Sequence, residues 1–121
     1  MMKSNFEIMS IPDIALSVGN FADVNQAHLT GVNIKVYLKL LEYALDVAER
    51  VSETEEAIVC GITTPALLEY CKQTGFEVAV QTVTNSLNRL HLSGVIAYNP
   101  VRGVGDTTVT LYKRFFVKGE E

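Results

Sequence analysis

A chain of 121 residues with 48% hydrophobic side chains is long enough to bury one core, and a formal charge of −4 excludes a protein that simply coats polyanions. No apolar run reaches the roughly 18 residues that a membrane helix needs, and "MMKSNFEIMS" lacks the apolar core and cleavage site of a signal peptide. A cytoplasmic protein without a membrane partner is therefore expected. The charge is unevenly spread: residues 1–79 carry a net −6, whereas Arg89, Arg102, Lys113, Arg114 and Lys118 face Asp106 alone over residues 80–118. A basic C-terminal part on an acidic body marks a polarised molecule.

In chain order, residues 1–32 read as an irregular extension, in which Pro12 followed by "DIALSV" can open a short helix. "GNFADVNQAHLTG" has the composition of a loop. Residues 33–52, "NIKVYLKLLEYALDVAERVS", carry two adjacent apolar stripes. Ile34, Leu38, Leu41, Leu45 and Ala48 form one; Val36, Leu40, Tyr43 and Val47 form the other. A helix this apolar is covered on more than one side, either by residues 1–32 or by a second copy of the chain.

"SETEEA" then reads as an acidic turn and "IVCGI" as a short strand. "TTPALLEYCKQTG" predicts a helix with a hydroxyl cap at Thr63 or Thr64, Pro65 in the first helical position and a left-handed stop at Gly75. After a short turn, "VQTVTNSLNRLHLSG" aligns Val80, Val83, Leu87 and Leu90 on one helical face and stops at Gly94. "VIAYNP" and "TTVTLYKRFFV" predict two strands of a hairpin around the turn-rich "NPVRGVGD". Lys113 and Arg114 fall on the returning strand in this reading.

Cys60, Cys71, His28 and His91 show no metal-ligand spacing, and both cysteines read as small buried hydrophobes, with a disulfide between them left open. No serine, histidine and acid arrangement occupies a nucleophile motif, and "GVG" at residues 103–105 lacks the strand and helix that a phosphate-binding loop requires. Neither an enzyme nor a cofactor is expected.

The helix beginning near Val80 carries the sharpest chemistry. With Val83 at zero and about 100° per residue, Gln81, Asn85 and Asn88 point to the opposite side. Thr84 flanks them on one edge, and Thr82 and Arg89 on the other. Asparagine and glutamine match the N7 acceptor and N6 donor of adenine in the major groove, and threonine and arginine suit thymine, guanine or phosphate. Arg102 at the hairpin tip suits the minor groove, and Lys113 and Arg114 suit backbone phosphate. Taken alone, an amide-rich face reads first as a solvated helix surface.

The element order and the pattern Thr82-Val83, Leu87, Arg89-Leu90, Gly94-Val95-Ile96 resemble the winged helix-turn-helix family of DNA-binding domains. That pattern is similar to the recognition helix and strand entry of MarR-like and ArsR-like bacterial regulators. The likeness covers residues 33–117. "FEIMSIPDIAL" before a long helix is also loosely similar to winged-helix domains of plasmid and phage replication initiators.

The resemblance implies an α+β fold in which a three-helix core carries a small antiparallel hairpin wing. Residues 1–32 would then be an extension packing on the core or on a dimer partner, and residues 33–121 the winged-helix domain. It implies a homodimeric transcriptional regulator that lays its recognition helix in the major groove of double-stranded DNA, with two half-sites about one helical turn apart. The alternative is a module for protein contacts or replication initiation in a larger complex. Many such regulators take a small-molecule effector, for which no pocket is legible.

Overall fold

The computed structural model describes residues 7–99 and 107–118. The described fold is α+β, with four α-helices and one small antiparallel four-stranded sheet. In chain order the elements are α1 (Ile11–Val24), α2 (Gly31–Asp46), β1 (Glu49–Glu53), β2 (Ala57–Ile62), α3 (Thr64–Gln73), α4 (Val80–Leu92), β3 (Ile96–Asn99) and β4 (Thr107–Tyr112). A short 3₁₀ turn, Lys113–Phe115, follows β4.

Residues 11–24, expected to hold at most a short helix, form the 14-residue α1. Ser10 caps it by accepting from the Asp13 amide, and Pro12 sits in its first turn, where the missing N–H costs nothing. Ile14, Val18 and Ala22 recur every four residues and are buried, and the helix packs on α2. Among the described residues, it is therefore α1 that covers the second apolar side of α2. Just before α1, the chain runs antiparallel to the C-terminal segment: Met9 N–H donates to Phe116 O at 2.7 Å and Lys118 N–H to Glu7 O at 2.8 Å.

α2 starts at Gly31, with Thr30 and Asn33 forming a reciprocal capping box. Val36, Tyr37, Leu40, Leu41 and Ala44 are buried along it. The expectation of a helix through residue 52 is corrected, because α2 ends at Asp46 and residues 49–53 form β1. The cause is non-local. β2 offers its edge to "ERVSE", with Glu49 opposite Gly61 and Glu53 opposite Ile58, and a bulge falls between Arg50 and Ser52. Thr54 closes the hairpin: its hydroxyl accepts from the amides of Glu56 and Ala57.

The strand order is β1-β2-β4-β3, all antiparallel. Ile58, Cys60 and Ile62 of β2, Val109 and Leu111 of β4, and Ile96 and Tyr98 of β3 alternate onto the covered face. That face joins α2, α3 and α4 in one hydrophobic core. Cys60 and Cys71 are both buried and free, and burial pushes both thiols above their ordinary range.

Candidate nucleic-acid interface

α4 is held from three directions. Beneath it, Val83, Leu87 and Leu90 are fully buried, and truncating one such leucine costs about 2–5 kcal/mol. Val80, placed on the same stripe by spacing, is half exposed in the first turn. Toward α2, the buried Ser86 hydroxyl accepts from Asn33 Nδ2 at 2.9 Å. At its C-terminal end, His91 Nδ1 accepts from the Tyr98 amide at 3.1 Å, so the helix is stitched to the outer edge of β3.

Both ends of the α3–α4 pair are fixed by the chain itself. Thr63 caps α3 by accepting from the Ala66 amide, which makes Pro65 the second helical residue rather than the first. α3 ends in a Schellman motif: Phe76 N–H donates to Cys71 O and Gly75 N–H to Lys72 O, with Gly75 at φ +90°. α4 ends the same way, through Val95 to Leu90 and Gly94 to His91, with Gly94 at φ +85°. Residues 74–79 connect the two helices.

The outward face carries the amides. Gln81, Asn85, Asn88 and Arg89 are exposed, and Thr82 and Thr84 are half buried on the flanks. The periodicity of α4 thus places each of these side chains on the side the sequence implies. One feature had no sequence signal in the amide row itself: Ala79 occupies the cap of α4 and supplies no side-chain acceptor. The first-turn amides of α4 therefore keep their donors and their partial positive charge for a ligand or solvent.

The basic residues beyond α4 separate into three situations. Arg102 lies in residues 100–106, outside the described residues. Lys113 and Arg114 are not on the returning strand, because β4 ends at Tyr112 and both lie in the 3₁₀ turn. β4 runs away from the hairpin tip for roughly 17 Å from Thr107 to Tyr112, and both residues lie beyond that far end. Lys113 Nζ sits 2.7 Å from Glu53 Oε2 with its side chain only 14% exposed. The Arg114 guanidinium stacks 4.6 Å from the ring of Phe21 and 5.0 Å from that of Phe115. Through these contacts Lys113 is tied to β1 and Arg114 to α1, and Phe21 beneath Arg114 also lies against Gly94 at the C-terminal end of α4.

Among the described residues, no group of three or more histidine, cysteine or acidic side chains is placed to hold a metal ion. No helix among them is long and apolar enough to cross a membrane. Comparison of the chain with known protein families, characterised proteins and solved structures gives no match.

Proposed function

We propose that the chain binds double-stranded DNA sequence-specifically as a homodimeric transcriptional regulator. In this reading α4 lies in the major groove and the β3–β4 hairpin meets the backbone or the minor groove. The observation that carries it is the outward row of Gln81, Asn85 and Asn88 on a helix braced by its core residues, by Asn33 and by His91. From α2 onward the order of helix, strand, helix, turn, helix and hairpin, with β4 between β2 and β3, is compatible with a winged helix-turn-helix. α1 and β1 are then additions to that plan.

Asparagine and glutamine can each grip adenine through two hydrogen bonds, and such a pair discriminates by about 1–3 kcal/mol. Backbone affinity falls to Arg89, to Arg102 and to the open first-turn amides of α4. So few phosphate contacts per chain leave a single copy weak, which is why two half-sites are proposed.

A second reading, a winged-helix module for protein contacts or replication initiation, is favoured by one observation. Lys113 is paired with Glu53 within the chain, on a body whose residues 1–79 carry a net −6. Selection of bound duplexes from a random DNA pool separates the two. The DNA-binding reading expects an enriched, adenine-containing motif in two copies about one helical turn apart; a pool that stays unenriched contradicts it.

A further inference from the structure

The outward row of α4 does not end in a polar residue. With Val83 at zero and about 100° per residue, Leu92 falls between Gln81 and Asn85 in bearing. Leu92 is 81% exposed, the most exposed large apolar side chain among the described residues. It does not sit on a fraying end. The Ser93 hydroxyl donates to Leu90 O at 2.9 Å, and the Gly94 and Val95 amides close the Schellman motif around it. Its neighbour His91 is turned back to β3, so Leu92 alone continues the amide line.

From Gln81 to Leu92 the row runs roughly 16 Å at 1.5 Å per residue, or about five base-pair steps of 3.4 Å. Over that length the major groove displays donors, acceptors and one apolar group, the C5-methyl of thymine. Each adenine gripped by an amide brings a thymine whose methyl projects into the same groove. An exposed leucine in register with three amides therefore matches what an A·T-rich major groove presents.

We infer that Leu92 is a specificity-determining residue that packs on thymine methyl groups under the C-terminal end of α4, so that the target is A·T-rich there. This rests on the reading of α4 as the DNA-binding helix.

The probe is the duplex recovered by selection, with the thymines under the C-terminal end of α4 either kept or replaced by uracil, which lacks only the methyl. Wild-type protein is expected to bind the thymine duplex about fourfold more tightly for each methyl covered. Leu92→Ala should bind both duplexes alike, near the wild-type affinity for the uracil form. Asn85→Ala should bind more weakly but still prefer thymine. Equal binding of the two duplexes by wild type, or a thymine preference that survives in Leu92→Ala, overturns the inference. Survival of that preference together with a loss of dimer mass in sedimentation would instead assign Leu92 to contact with a second copy. Failure of the wild type to bind any duplex removes the DNA-binding reading itself, an outcome distinct from duplex binding without methyl discrimination.

Discussion

Asn33 uses its side-chain amide in two places. Oδ1 accepts from the Thr30 amide to complete the cap of α2, and Nδ2 donates to the buried Ser86 hydroxyl on α4. Asn33→Ala therefore removes half of a capping box and strands a buried hydroxyl. Urea unfolding should show a loss of about 1–2 kcal/mol, and an unchanged midpoint would contradict the contact. Tyr37 presents the opposite case. Its hydroxyl is fully buried and finds no hydrogen-bond partner among the described residues, and burial pushes its ionisation well above the ordinary tyrosine range. Tyr37→Phe should leave stability unchanged or raise it by about 1 kcal/mol, because no hydrogen bond is lost and an unsatisfied oxygen is removed. On the outward face, Asn85 faces solvent and holds nothing together, so Asn85→Ala should leave thermal unfolding unchanged while altering duplex binding.

At the scale of elements, α1, α3 and α4 all stop with the same pair of backbone hydrogen bonds and a residue at positive φ. Gln26 at φ +60° does this in α1, and Gly75 and Gly94 do it in α3 and α4. At Gly94 an added Cβ would also lie 3.3 Å from Phe21, so the α4 terminus and α1 approach each other closely there. Gly94→Ala should destabilise the protein by about 1–2 kcal/mol from the backbone alone, read as a lowered unfolding midpoint. The elements legible in the sequence are those whose signals are local. α4 announces itself by an apolar step of three and four and a stop glycine, α3 by Thr63, Pro65 and Gly75, β2 by a short run of β-forming residues and β4 by alternation. The start of α1 was legible at Pro12, but its full length was hidden because Gly19 and Asn20 are poor helix formers in its middle, and packing on α2 offsets them. β1 was hidden because Leu45, Val47 and Ala48 extend the helical stripes of α2 toward it, while its pairing with β2 is set by residues five to twelve positions away. The end of β4 was hidden for a similar reason, since alternation cannot register that Lys113 leaves the strand to reach Glu53. The amide row was legible because helical periodicity alone decides which side chains face away from Val83 and Leu87. The bracing of that row by Asn33 and His91 comes from contacts no local pattern encodes.

The whole molecule carries groups that resist ionising. The thiols of Cys60 and Cys71 and the phenol of Tyr37 are raised chiefly by burial, and that of Tyr70 by burial with Glu42 and Asp46 nearby. Between the ordinary and the raised ranges the folded chain holds more protons than the unfolded one, so stability is full below the ordinary ranges and falls as pH climbs beyond about 9. The urea midpoint should therefore be lower at about pH 10 than at about pH 7, and a midpoint that holds or rises would contradict these assignments. The uneven charge has its own signature. Arg102→Ala should weaken binding to all duplexes alike and lower the salt slope by about one unit. The central claim is that Asn85, standing outward on α4, reads a base. Its most direct measurement is the titration of wild type and Asn85→Ala against the selected duplex and a scrambled one at fixed salt. The expected result is a loss of about tenfold to a hundredfold on the selected duplex, with the scrambled duplex bound as before. An equal loss on both duplexes, or no loss on either, would contradict base reading by this face.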